Sequence, residues 1–239
     1  MENLHASPDF WISIRPALAW GSTDVVGRLV KLLQLRPPAE VLDCGCGTGR
    51  HAVLFQELGF QTTGVDLTPT FVQEADLHAP GPRYIQADIR DYLAEIEQPR
   101  FDLITCFVTT ILGYFDSADD DLAFLRSVRR VLRPGGRFVF EAANQELLRQ
   151  NPLREFTSGK ERLEQRCLVG TGNRLDISFT WFAAEQPVRQ TNTVLRLSSG
   201  HELRMLFEQA GFATQLYANF DGQTYDEQTP SRVVIVGSV

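Results

Sequence analysis

An acid and three alternating glycines stand out in the stretch Val41-Leu42-Asp43-Cys44-Gly45-Cys46-Gly47-Thr48-Gly49-Arg50. An apolar pair runs into Asp43, and a helix-like run begins near Arg50. This pattern predicts a strand, a tight turn and a helix N-terminus. Glycine suits such a turn because the chain bends sharply and a ligand must approach bare backbone. The unpaired N–H groups of the helix start then face whatever lies over the turn. A second acid, Asp66, follows Gly45 by 21 residues, the distance at which the acid of a dinucleotide fold meets a ribose. Its two acceptor oxygens match two vicinal hydroxyls. Cys44 and Cys46 are too close together for a structural zinc pair, and the chain holds no second pair, so no metal is expected.

The elements that must position these groups alternate along the chain. Val25, Val26, Leu29, Leu32 and Leu33 recur at helical spacing before Arg36-Pro37-Pro38 stops the helix. Strands are predicted at Val41–Leu42, Phe60–Val65, Arg83–Gln86, Phe101–Phe107 and Arg137–Glu141, with helices between them. Asp116, Ser117 and Asp119 offer caps to the helix that precedes the fifth strand, and Pro134-Gly135-Gly136 turns the chain into that strand. Alternating strands and helices predict a doubly wound parallel sheet. From about Glu161 to Ser198 the period becomes two: Leu175, Ile177, Phe179 and Trp181 alternate with Asp176, Ser178 and Thr180. This predicts an antiparallel insert of about three strands, either a cover over a cleft or a pairing surface for a second copy of the chain. A helix through Leu203, Leu206 and Phe207 and two more strands follow.

Composition narrows the class. A hydrophobic content of 43% against 22% charged residues is that of a globular protein. No apolar run reaches the ~20 residues of a membrane span, and the N-terminal stretch lacks a signal-peptide pattern. The four scattered cysteines suit a reducing cytoplasm. A net charge of −7 without a Lys/Arg run argues against a nucleic-acid partner.

Taken together, the glycine turn, Asp66, Asp88 after the third strand and Pro134-Gly135-Gly136 resemble class I S-adenosylmethionine-dependent methyltransferases. The resemblance covers about residues 35–141, and more loosely 200–239. Phe220-Asp221-Gly222 and Ser231-Arg232-Val233 also look like those of bacterial small-molecule methyltransferases with a β insert. It implies a single Rossmann-like domain with a seven-stranded sheet completed by an antiparallel hairpin. The expected parts are an N-terminal helical segment (1–34), a cofactor core (35–150), the insert (152–198) and a C-terminal completion (200–239).

By the same resemblance S-adenosylmethionine would sit with its amino-acid tail over Gly45 and Gly47, within the motif that includes Cys46 and Gly49. Asp43 would attract its cationic end and Asp66 its ribose. Asp88 would accept from the adenine amino group, with Ile89 and Leu67 beside the ring, and Phe107 would offer backbone to the methionyl amino group. Arg50 would meet the carboxylate or stand as a solvated helix residue. Two other classes compete: a protein of this fold without methyl transfer, and a nicotinamide-dependent oxidoreductase. In the latter the third glycine falls five residues after the first, whereas Gly49 falls four after Gly45.

Ligands of open α/β sheets bind outside the carboxyl ends of the strands. That places Tyr114, Glu141, Asn144, Asp221 and Tyr225 on the acceptor side, with Tyr114, Glu141 and Asp221 as candidates for catalysis. Each has a structural alternative, such as helix capping for Glu141. None of His5, His51, His78 and His201 stands out as a base. Trp11, with Phe10, either packs an N-terminal helix or closes over a small, partly apolar acceptor.

Overall fold

The computed structural model describes residue 12 and residues 22–239, apart from 109, 110, 159, 160 and 185. Trp11 lies outside the described residues. Helix α1 (Ser22–Leu33) leads into strand β1 (Glu40–Cys44). Then come α2 (Ala52–Glu57), β2 (Gln61–Asp66), α3 (Pro69–His78), β3 (Arg83–Gln86), α4 (Ile89–Ala94) and β4 (Phe101–Cys106). Helix α5 (Ala118–Val131) runs straight into β5 (Leu132–Ala143), followed by α6 (Gln145–Gln150).

One sheet has the order β10-β11-β5-β4-β1-β2-β3, where β10 is Ala213–Tyr217 and β11 is Arg232–Ser238. Strands β1 to β5 are parallel, while β11 lies antiparallel to both β5 and β10. Neighbouring residues of the central strands feed opposite faces, as a pleated sheet covered on both sides requires. Leu42, Ile104 and Phe138 pack with Phe124, Leu125 and Val128 of α5. Val41, Leu103 and Val139 pack with Val26 and Leu29 of α1 and with Phe55 of α2. Helix α5 starts at a capping box in which Ser117 and Asp120 each satisfy the other's backbone N–H.

A second sheet has the order β6-β7-β8-β9, all antiparallel, from β6 (Leu153–Ser158), β7 (Glu161–Val169), β8 (Arg174–Ala183) and β9 (Gln186–Arg196). It has four strands where the sequence predicts about three. The added strand, β6, is short and its apolar residues Leu153 and Phe156 do not alternate cleanly. The predicted alternation in β8 is observed: Leu175, Ile177 and Phe179 are buried in a separate apolar cluster with Leu163, Cys167, Leu195 and Leu148 of α6. The fifth strand also begins earlier than predicted. Between Phe101/Leu132 and Leu103/Arg137 its register shifts, so Pro134-Gly135-Gly136 forms an irregularity inside β5 instead of a turn before it. Helix α7 (Gly200–Gln209) starts at a capping box of Ser199 and Glu202.

Candidate functional site

Strand order reverses between β1 and β4, since the chain runs outward from β1 through β3 on one side and from β4 to β5 on the other. A crevice at such a switch point is where open sheets bind ligands. The glycine turn leaves β1 at this point. Gly45, Gly47 and Gly49 all adopt left-handed φ, at 68°, 54° and 79°. The Gly45 and Cys46 N–H groups donate to the Val65 carbonyl at 2.8 and 3.1 Å, fastening the turn to the end of β2. Two of the glycines are needed for different reasons. A Cβ on Gly49 would stand 2.3 Å from the Tyr84 hydroxyl of β3, whereas one on Gly47 would meet nothing within 4 Å. Gly49 thus serves internal packing, and Gly47 keeps an open surface.

Asp66, at the end of β2, is buried and grips the turn. Its Oδ2 accepts the Gly47 N–H at 2.9 Å and its Oδ1 accepts the Thr68 N–H at 2.9 Å. Each carboxylate oxygen has a further lone pair, which leaves capacity for a pair of hydroxyls. Asp43 pairs in register with Thr105 of β4, whose Oγ1 donates to Asp43 Oδ1 at 3.0 Å. Asp43 Oδ2 is buried and has no hydrogen-bond partner among the described residues. Burial pushes the Asp43 carboxyl up to about 7, against the pull of the Thr105 hydroxyl and the Arg50 charge. An unsatisfied buried acceptor beside an open glycine is a fit for a cationic group.

Arg50 is the helix-side charge of this cluster. Burial lowers its pKa, and Asp43 partly restores it. His51, next along, is buried with its ring 4.8 Å from that of Phe107, and burial with the adjacent Arg50 pushes its pKa well down, so it stands neutral. Across the crevice, Glu141 of β5 is also buried. Its Oε1 forms an ion pair with Arg232 Nε at the start of β11, and its Oε2 accepts the Val108 N–H at 2.9 Å. Burial holds the Arg232 guanidinium down at about 10, with Arg50 adding to the effect. Val108 directly follows Phe107 and has φ 63°. For a β-branched residue that conformation costs on the order of 1–3 kcal/mol.

The remaining sequence candidates have definite places. Leu67 is 43% exposed beside the crevice, and Ile89 is buried at the start of α4. Asp88 caps that helix through the Arg90 N–H at 2.8 Å and forms an ion pair with the Arg90 guanidinium at 2.6 Å. Cys46 is buried, and desolvation raises its thiol pKa well above the ordinary range. Tyr114 belongs to the apolar cluster of the insert, beside Thr193 of β9. Asn144 is fully buried and caps α6 through the Leu147 N–H, while its amide donates to the Thr229 carbonyl. Tyr225 packs so closely on Gly200 that a Cβ there would lie 2.4 Å from the ring. Asp221 is exposed and ion-paired with Arg28 of α1 at 2.9 Å. Thr105, Tyr84 and Arg232 join the site without having been predicted in it, while Val108 falls in the stretch from Phe107 to Tyr114 that the sequence places at the carboxyl end of the fourth strand. Of those three, only Arg232 carried a signal, as part of the Ser231-Arg232-Val233 stretch.

No described helix is long and apolar enough to cross a membrane. Among the described residues, no group of three or more His, Cys, Asp or Glu side chains could hold a metal ion. A family described as a methyltransferase domain matches residues 20–216. The chain is 36% identical over 112 residues to a ubiquinone biosynthesis O-methyltransferase of Xanthomonas campestris pv. campestris, a match covering 45% of this chain and 44% of that protein. The chain therefore aligns with under half the length of the curated relatives it matches.

The fold is similar to an S-adenosylmethionine-dependent methyltransferase from Clostridium acetobutylicum, with TM-score 0.74, 18% identity and 91% and 90% of the two chains covered. It is also similar to the SAM-bound amino pentose methyltransferase CalS10 of Micromonospora echinaspora, with TM-score 0.66, 19% identity and coverage of 91% and 90%. The chain belongs to the methyltransferase domain family, and its fold is that of these S-adenosylmethionine-dependent methyltransferases.

Proposed function

We propose that the protein transfers a methyl group from S-adenosylmethionine to a small-molecule acceptor by in-line displacement. One observation carries the reading: the glycine turn that follows Asp43, whose Oδ2 is buried without a partner among the described residues, leaves Gly47 open and is held by the Asp66 carboxylate through the Gly47 N–H. When bound, the cofactor supplies a methyl group already activated by its sulfonium.

The chain's own residues orient and enclose. Asp43 and the bare backbone of Gly45 and Gly47 would hold the cationic amino-acid end, and Asp66 the ribose hydroxyls. Leu67 and Ile89 would flank the adenine. Positioning of this kind contributes up to ~7–11 kcal/mol to a displacement between two held reactants. The acceptor would lie outside the carboxyl end of β4, against the loop that carries Tyr114, which packs on the apolar cluster of the insert. Such a surface suits a small, partly apolar acceptor. The names of the relatives, an O-methyltransferase of ubiquinone biosynthesis and an amino pentose methyltransferase, agree with an acceptor of that size.

Isothermal calorimetry with S-adenosylhomocysteine tests the cofactor. Binding is expected, with Asp66→Ala weakening it by tenfold or more, since hydrogen bonds to a charged group contribute about 1.5–3 kcal/mol. NADH is expected not to bind. A wild-type protein that takes NADH and ignores S-adenosylhomocysteine would refute the proposal.

A further inference from the structure

Glu141 looks at first like a general base, a buried carboxylate at the carboxyl end of β5. Its surroundings assign it other work. One oxygen is taken by the Arg232 guanidinium and the other by the Val108 N–H at 2.9 Å. Val108 is 47% exposed, so its left-handed φ of 63° gains little packing in return for the strain. A strained residue persists only where its surroundings over-determine it. Here the determinant is the hydrogen bond to Glu141, which is itself fixed by an arginine from the far end of the chain.

The Phe107–Val108 peptide is trans, since Pro37–Pro38 is the one cis bond among the described residues. In a trans peptide the carbonyl points opposite to the N–H. The N–H is aimed at Glu141 on β5, and β5 and β1 flank β4 on opposite sides. The Phe107 carbonyl therefore points away from the Glu141 carboxylate, on a strand whose other neighbour, β1, ends in the glycine turn.

We infer that Glu141 is a positioning residue, which, braced by Arg232, locks the Phe107–Val108 peptide so that its carbonyl faces the cationic amino-acid end of the bound nucleoside. The inference rests on the proposed cofactor and gives Glu141 no part in proton transfer. It makes the recognition of the ligand's amino group depend on a side chain that never touches it. Val108 contributes its backbone alone, so glycine, for which positive φ carries no strain, can take its place.

The test compares two probes by calorimetry: S-adenosylhomocysteine, and 5′-methylthioadenosine, which lacks the amino-acid tail. Glu141→Gln places an amide N–H against one of its two donor partners. Glu141→Asp keeps the charge that Arg232 needs but is one methylene too short to hold both. Each variant is expected to bind S-adenosylhomocysteine at least tenfold more weakly than wild type and 5′-methylthioadenosine within twofold of it. Adding Val108→Gly to Glu141→Asp is expected to recover part of the loss, because the backbone then reaches the same φ without help.

Equal losses for both probes in both variants would show a merely structural role and overturn the inference, as would unchanged binding of S-adenosylhomocysteine. Wild-type protein that binds neither probe would overturn the cofactor reading and this inference with it. Wild-type protein that binds both while the variants show equal losses leaves the cofactor reading standing.

Discussion

Burial lifts the Asp43 carboxyl from its ordinary 3.8 to about 7, so its charge changes close to neutral pH. The folded protein then holds a proton that the unfolded chain has already lost between about pH 4 and pH 7. Asp43 therefore lowers stability progressively as pH rises across that window, and the loss levels off above it. Asp43→Asn, which keeps an acceptor for the Thr105 hydroxyl, is expected to flatten this fall. Urea unfolding of both proteins between pH 5 and 8 measures the difference. Ligand binding should run the other way. A cationic group seated on Asp43 favours the ionised carboxylate, so affinity for S-adenosylhomocysteine should rise about tenfold per unit up to pH 7 and then level off. In Asp43→Asn that pH dependence should disappear; if it persists, another group governs it.

At the level of elements, the loop after β4 is fastened to the insert. Gly113 accepts from the Arg196 N–H at 3.0 Å, and a Cβ on Gly113 would stand 2.2 Å from the Arg196 carbonyl. The Arg196 guanidinium donates to the Phe115 carbonyl, to the Ser117 carbonyl at 2.8 Å and to Asp121 Oδ2 at 2.7 Å. Asp121 in turn accepts the Gly113 N–H at 3.1 Å. Arg196→Ala is expected to accelerate hydrogen exchange at residues 111–117 by tenfold or more. S-adenosylhomocysteine affinity should stay within about twofold of wild type, since the glycine turn is held separately by Val65 and Asp66. Exchange unchanged in that loop would mean that the core holds it instead.

None of this clamp is legible in the sequence, where Arg196 is an arginine at the end of a strand and Asp121 an acid in the first helical turn. The glycine turn and the parallel strands were legible because local chemistry fixes them: positive φ calls for glycine, and a parallel strand buried on both faces calls for a continuous apolar run. Asp66 was legible from its distance to the turn, and the closing hairpin from the family resemblance. Val108 shows the opposite case. Valine is a strand former, and only a partner elsewhere in the chain holds it at positive φ. Tyr84 is similar, since it shows the need for a bare Gly49 only once β3 lies beside the turn.

Over the whole molecule, the described residues pack into three apolar clusters, one on each face of the main sheet and one on the insert. A ligand that binds the folded state alone adds its binding energy to global stability. S-adenosylhomocysteine at 100 times its dissociation constant should add about 2.7 kcal/mol. In a domain of this size that raises the thermal midpoint by roughly 5–10 °C, measurable by scanning calorimetry. A midpoint that does not move would be inconsistent with tight cofactor binding.

The position of β11 in the sheet also bears on how the protein is made. Of the sheet's strands it comes last in the chain, yet it lies inside the sheet between β10 and β5, and Arg232 begins it. On a ribosome adding ~5–20 residues per second, Arg232 is synthesised on the order of 5–20 s after Glu141. Throughout that interval the nascent chain carries an unpaired glutamate beside an open edge of β5. The glycine turn and Asp66 have been translated by then, but the brace on Val108 has not. Ligand capture is therefore expected to begin only once β11 has emerged from the ribosome and paired with β5.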